Sequence, residues 1–319
     1  MDEPYANAWP ILLDAPMLRR VWGGSRFVAA GGPIGEVWLV HSGNIIVQGP
    51  CAGSTLSTAV ETMGSALLGR RLAERGVRGF PLLIKLIDAV EWLSVQVHPN
   101  DAQAELLEGP GHCGKTEAWF VLDSEPGAEV IAGTRPGVTP AQVRHAIRAG
   151  GILDLVQRFQ LGAGDALMLP AGAVHALGPG LFIYEIQQSS DITYRVYDWE
   201  RPASEGRALH IDQSHQSVDA SLRIDPVHIV DPAASELVTI AASNYFHLEL
   251  GRVGPNRLEL EPGGETFHVV TVIEGDVVLR GVDWDQRLRA FGTALIPAAI
   301  ARYSIEGSGR ARFLLARPG

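Results

Sequence analysis

Lysine is nearly missing from this sequence. Lysine and arginine together number 26, yet only Lys85 and Lys115 are lysine. Cysteine is almost as scarce, with Cys51 and Cys113 as the only two. Two thiols build no disulfide framework, so a reduced, cytoplasmic setting is expected, with Cys113 a packing or rim thiol rather than a nucleophile. Positive charge is in deficit: the net charge is −10 and the pI is near 5.5. Nucleic acid and anionic membranes demand a basic face, so neither is expected as a partner. Long apolar runs are absent too. The most apolar stretch, 166–183, is interrupted by Pro170, His175 and Pro179, which excludes a spanning helix there. The opening Met1-Asp2-Glu3-Pro4 has neither the basic nor the apolar region of a signal peptide.

Turn formers and hydrocarbon are plentiful. The 319 residues include 36 glycines and 20 prolines at 46% hydrophobic content. That combination predicts a β-rich chain with a substantial core, built as one large or two ordinary domains. Strand patterns recur at 35–40, 82–87, 91–97, 118–122, 129–131, 165–169, 182–186 and 193–197. Trp22-Gly23-Gly24 reads as a turn or tight loop. Two segments switch to helical spacing. The first, 54–76, carries Leu56, Val60, Met63, Leu67 and Leu68, with Ser54 or Thr55 as cap and Gly69 near its end. The second, 139–160, opens with Thr139, Pro140 and Gln142 in N-cap, N1 and N3 order, and is expected as two short helices broken at Gly150-Gly151. A polar stretch over 200–240 reads as a crossing segment, after which strand and turn patterns return. Gly164–Pro170 and Gly292–Pro297 share a glycine, a short strand and a proline, which points to two related β-barrels. The expected domains are 1–240 and 241–319.

Four polar side chains stand where such a chain buries hydrocarbon: Gln96, His98, Glu117 and His175. Gln96 and His98 are two residues apart and so share one face of a strand. Two imidazoles, a carboxylate and an amide oxygen suit a divalent metal if they converge. Both lysines flank this set: Lys85 precedes Gln96 by 11 residues, and Lys115 precedes Glu117 by two. A compact ammonium, unlike a guanidinium fork, is therefore read as a requirement at those two places. Lys85 also interrupts the apolar run 82–87 and needs a partner or a cavity opening.

The stretch from Gly164 through Pro170-Ala171-Gly172-Ala173-Val174-His175 resembles the second cupin signature: glycine, five residues, Pro-x-Gly, two residues, histidine. Pro179 stands where that signature ends in asparagine. More specific is an ordered set: Leu82–Leu86, Trp92–Pro99, Gly114–Trp119 and Ile192–Asp198. Together these motifs resemble the class I mannose-6-phosphate isomerases in their short bacterial form. The resemblance implies a mainly β fold of two cupin-like jelly-roll barrels with helical insertions, the metal lying in the first barrel and the second being metal-free. It implies one zinc ion per chain, bound by Gln96, His98, Glu117 and His175. It marks Arg195 as an active-site residue, with Lys85, Ser94, Lys115 and Glu185 lining the pocket and Arg201 holding substrate phosphate.

The implied reaction interconverts mannose 6-phosphate and fructose 6-phosphate through an enediol-type intermediate. It needs a cation such as Arg195 for the developing oxygen charge, and a base. Glu185 is the candidate base, and a lysine of depressed pKa competes with it. The expected partner is a small phosphorylated hexose, and the chain is expected as a monomer or homodimer. Two other readings stand beside this one: an Fe(II)-dependent cupin oxygenase using the two histidines and Glu117, and a non-catalytic protein that binds a sugar phosphate.

Overall fold

Alternating apolar side chains build facing β-sheets, and the alternation decides which residues point inward. The computed structural model of the chain describes residues 8–27, 32–202, 207–254, 256–307 and 310–319. Met1–Pro4, read above for a signal peptide, lies outside the described residues. The chain is mainly β, and its described residues fall into two compact units. One unit comprises Met17–Trp38 and Ile84–His228; the other comprises Met1–Pro16, Leu39–Leu83 and Ile229–Gly319. This grouping differs from a simple division near residue 240. Ile11 bridges to Leu295, and Arg70 N–H donates to the Gly264 carbonyl at 2.9 Å, so early segments group with the C-terminal strands. Gly69 permits that approach: its φ is +91°, and a Cβ there would lie 2.3 Å from the Glu265 carbonyl oxygen.

In the first unit a seven-stranded antiparallel sheet has the order Val227–His228, Asp165–Leu169, Glu117–Ser124, Leu181–Gln188, Leu82–Ala89, Met17–Gly24, Ile34–Val40. A five-stranded sheet has the order Tyr194–Tyr197, Val95–Val97, His175–Leu177, Glu129–Thr134, Val156–Gln160. Trp119, Val121, Leu169 and Ile183 of the first sheet share a buried cluster with Val130, Ala132 and Leu177 of the second. The opposite face of the five-stranded sheet presents Val95, Val97, Ala176, Tyr194 and Val196 to Val143, Ala146 and Ile147 of the helix Pro140–Ala149. Because Val95 and Val97 point outward, the residues alternating with them point inward.

Several elements depart from expectation. Met17–Gly24 is one strand, not a strand ending before a turn at Trp22. The second helical insert holds one helix; after Gly150 come a 3-10 turn, Ile152–Asp154, and a strand, Val156–Gln160. Val156–Gln160 pairs with Glu129–Thr134, and that pairing overrides helical spacing. The helix Asp101–Glu108 was not foreseen, although Asn100 and Gln103 form a capping box, and neither was the helix Ile211–Ser217. No helix among the described residues is long and apolar enough to cross a membrane.

Among its described residues the second unit has a sheet of five strands from Glu236–Ala242 to Thr293–Ile296, one of four, and a two-stranded pairing of Leu12–Leu13 with Ile46–Gln48. Val270, Val272, Phe313 and Leu315 of the five-stranded sheet meet Val277, Leu279, Tyr303 and Ile305 of the four-stranded one. His268 is buried beside this core, its Nδ1 3.1 Å from the Tyr303 hydroxyl. Burial, with a smaller contribution from Arg317, pushes the imidazole from 6.5 down to about 4. Between those values the unfolded chain binds a proton that the folded chain refuses. Stability is therefore complete above pH 6.5 and declines as pH falls towards 4, by at most about 3 kcal/mol. His268→Gln should flatten that slope, read as urea midpoints at pH 7.5 and pH 5; parallel losses in variant and parent would refute it.

Candidate metal centre and cavity

Period-two placement gives the first unit's interior two unlike ends. On Glu117–Ser124 the inward positions run Glu117, Trp119, Val121; on Leu181–Gln188 they run Leu181, Ile183, Glu185, Gln187; on Leu82–Ala89 they run Lys85, Ile87, Ala89. Antiparallel register sets Gln187 opposite Glu117 and Glu185 opposite Trp119. One end of the sheet's inner face is thus hydrocarbon, and the other carries buried polar groups. The five-stranded sheet contributes His175 opposite Gln96, and Arg195 opposite Gln96 on its other side.

His98, Glu117 and His175 come together, and one ligand atom from each lies within 4.8 Å of the others. All three are buried, and Glu117 is 0% exposed. His98 Nδ1 lies 2.8 Å from the Ile192 carbonyl and His175 Nδ1 lies 2.9 Å from the Ala173 carbonyl. A carbonyl only accepts, so each Nδ1 carries the hydrogen and each Nε2 a lone pair. Those lone pairs face the carboxylate, with His175 Nε2 3.1 Å from Glu117 Oε1 and His98 Nε2 3.6 Å from Oε2. Lys115 Nζ lies 2.8 Å from Glu117 Oε2 and 3.1 Å from His98 Nε2. Two imidazole nitrogens and a carboxylate converging in a buried space already hold one cationic group and offer donors to a metal ion. The donor set fits a divalent ion of borderline softness, with backbone carbonyls fixing both rings from behind.

The electrostatics agree. Burial, then the Lys115 charge, drives the His98 imidazole well below its ordinary range and keeps it neutral. Burial would raise the Glu117 carboxyl, but the Lys115 ammonium beside it outweighs this and holds it well below the usual carboxylate range. Gln96 is half-buried, with its amide nitrogen 3.1 Å from His175 Nε2. Half a turn of that amide would exchange nitrogen for oxygen at the same place.

A cavity of about 560 Å³ opens beside this centre. Ser94, Gln96, Lys85, Lys115, Glu185 and Arg195, all singled out from the sequence, line it. Lys85 finds its partner in Glu185, with Nζ 3.0 Å from Oε2, while Glu185 Oε1 accepts from the Trp119 indole at 2.9 Å. Burial disfavours the Lys85 ammonium, yet Glu185 and Glu36 prevail and raise its pKa. Lys85 is therefore not a lysine of depressed pKa. Asp88, three residues on, binds Arg26 at 3.2 Å. Arg195 forms no salt bridge among the described residues, and its Nε is buried without a hydrogen-bond partner.

Arg201 is not brought to the cavity wall; it pairs with Glu91 at 2.9 Å and Asp198 at 3.2 Å. Trp199 and Glu200 take left-handed backbone conformations, with φ of 54° and 59°, and redirect the chain between Arg195 and Arg201. The cavity also gathers residues that sequence reading passed over: Arg19, Arg20, Glu36, Arg207 and His210. One signal was available, because Glu36 is an acid inside the apolar run 34–40.

The comparisons point one way. A family model for the catalytic domain of type I phosphomannose isomerase matches residues 14–113. A probable mannose-6-phosphate isomerase, GmuF, of Bacillus subtilis (strain 168) is 31% identical over 326 residues, spanning 97% of this chain and 99% of that protein. The crystal structure of the mannose 6-phosphate isomerase from Bacillus subtilis aligns with a TM-score of 0.78 at 27% identity, covering 96% of this chain and 99% of that one. A crystal structure of a mannose 6-phosphate isomerase bound with zinc and yttrium has the same fold, with a TM-score of 0.73 at 17% identity and coverage of 97% and 99%. Sequence identity sustained over nearly the whole of both chains makes this protein a member of the type I mannose-6-phosphate isomerase family.

Proposed function

We propose that this chain interconverts mannose 6-phosphate and fructose 6-phosphate, using one zinc ion held by His98, Glu117, His175 and Gln96. The observation that carries the reading is the buried convergence of two imidazoles and a carboxylate, with a cavity lined by cations beside it. A related isomerase structure bound with zinc supports the choice of metal. Zinc at this position supplies Lewis acidity towards the carbonyl and hydroxyl oxygens of the sugar.

The other steps belong to the chain's own residues. Moving a proton between C2 and C1 builds negative charge on oxygen. Arg195, a guanidinium without a counter-carboxylate, stabilises that charge by fixed electrostatics. Glu185 is the base: Trp119 and Lys85 fix its carboxylate at the cavity wall, and the charged Lys85 cannot itself accept the proton. Lys115 holds Glu117 in place and gives the cavity a second ammonium. Ser94 adds a neutral donor. Two half-buried free thiols fit a cytoplasmic enzyme.

Glu117→Gln and His175→Ala should each reduce bound zinc, measured by elemental analysis, from about one per chain by at least roughly tenfold. Turnover in an assay coupled to fructose 6-phosphate should vanish with the metal. Full turnover in a zinc-free variant would falsify the reading. Glu185→Gln should keep its zinc and lose about 10²–10⁴-fold in kcat. If kcat survives that change, the base lies elsewhere.

A further inference from the structure

Arg195 lies at a sheet edge: Tyr194–Tyr197 ends the five-stranded order, with a neighbouring strand, Val95–Val97, on one side only. A residue in an antiparallel pair either exchanges both backbone hydrogen bonds with its partner or turns both groups away. Arg195 turns them away from Gln96, because its N–H and its carbonyl both go to His210. The ladder also shifts register between Arg195 and Tyr197, so pairing with Val95–Val97 does not by itself fix the arginine. His210 supplies what a further strand would. Its backbone N–H donates to the Arg195 carbonyl at 2.8 Å, and its ring Nδ1 accepts from the Arg195 N–H at 3.2 Å. A backbone N–H only donates, so Nδ1 here holds the lone pair and Nε2 carries the hydrogen. That is the tautomer opposite to the one at His98 and His175. Burial, then the Arg195 charge, pushes the imidazole below its ordinary range against attraction from Glu108, which favours the neutral ring. The residue is itself braced. It is the N-cap of the helix Ile211–Ser217, its carbonyl accepting from Ser214 N–H at 2.8 Å. Its ring lies 6.1 Å from that of Tyr194, whose hydroxyl donates to Glu108 at 2.8 Å.

We infer that His210 is a positioning residue for Arg195: as the neutral Nε2–H tautomer it clamps the arginine's backbone and so aims its guanidinium into the cavity. Other arginines of this cavity are aimed by carboxylates, Arg20 by Glu36 and Arg207 by Asp198. Arg195 has no salt bridge among the described residues and its Nε has no hydrogen-bond partner, so its backbone is what sets its direction. The inference rests on the isomerase reading for its effect on turnover.

Asparagine at this position places an acceptor where Nδ1 stands, whereas glutamine reaches towards Nε2 and leaves the Arg195 N–H unpaired. With zinc-loaded enzyme and mannose 6-phosphate, kcat should fall by about tenfold in His210→Gln and recover to within about threefold of the parent in His210→Asn. Zinc content should be the same in both. In an Arg195→Ala background the two substitutions should give equal kcat, because the imidazole acts only through that side chain. Equal kcat in the two single variants, or a glutamine loss that persists without the arginine side chain, overturns the inference. The ring nitrogen resonances of His210 in the parent enzyme give a reading that needs neither turnover nor a folded variant: hydrogen on Nε2 is expected, and hydrogen on Nδ1 overturns the inference. Should the parent fail to turn over mannose 6-phosphate while the ring shows the expected tautomer and the Arg195 amide exchanges faster in His210→Gln than in His210→Asn, the positioning role stands and the isomerase reading falls.

Discussion

The structure turns on one costly placement, the carboxylate of Glu117 with no solvent exposure between two imidazole lone pairs. An ionised carboxylate in such surroundings is strongly disfavoured unless charges or metal offset its lost hydration. Lys115 offsets part of it, at 2.8 Å. Around this point the interior alternates in sign: Lys115 against Glu117, Lys85 against Glu185, Lys85 again against Glu36. Each charge is tolerable because of its neighbour, and removing any member strands another. The polar end of the barrel is a single electrostatic unit rather than a set of separate contacts.

That unit holds its geometry because the far side of each strand is committed elsewhere. Val95 and Val97 bury against the helix Pro140–Ala149, as do Tyr194 and Val196 of the neighbouring strand. A slip of one residue would drive Gln96 and Arg195 outward and expose four apolar side chains, so register is strongly fixed. The hydrocarbon half of the inner face, from Trp119 to Val121 and Leu181 to Ile183, supports the other end. Ligands on strands braced from both sides are held more tightly than ligands on loops. The same bracing keeps Trp119 where its indole can fix Glu185.

Much of this was legible in the chain itself. Spacing by two predicted that Gln96 and His98 share a face, and a lysine inside 82–87 required a partner. The strand pairing of Glu117 and His175 with their neighbours could be expected from motif order, not from spacing. What escaped was long-range and angular. Nothing local says that Arg20 will meet Glu36, since a hairpin sets that pairing. The resemblance pointed to Arg201, six residues beyond Arg195, for substrate phosphate. Two left-handed residues, Trp199 and Glu200, lie between them, and Arg207 rather than Arg201 lines the cavity. The helical reading of 151–160 failed for a related reason. Its apolar spacing suits a helix, but the open edge at Glu129–Thr134 offers hydrogen bonds that a strand can use.

The scarcity of lysine acquires a physical sense from these positions. Both lysines are buried, Lys85 at 7% and Lys115 at 4% exposure, and each contacts a carboxylate on the inner face. A compact ammonium fits between Glu117 Oε2 at 2.8 Å and His98 Nε2 at 3.1 Å, where a planar five-donor guanidinium would need more room. Arginine occupies the opposite kind of place. Arg20 and Arg207 grip Glu36 and Asp198 through two parallel donors, a geometry that lysine cannot reproduce. The division of labour follows from shape: point charges where space is tight beside Glu117 and the two imidazoles, forks where a cation must be held in a fixed orientation. An otherwise acidic chain thereby brings Arg19, Arg20, Lys85, Lys115, Arg195 and Arg207 to one cavity.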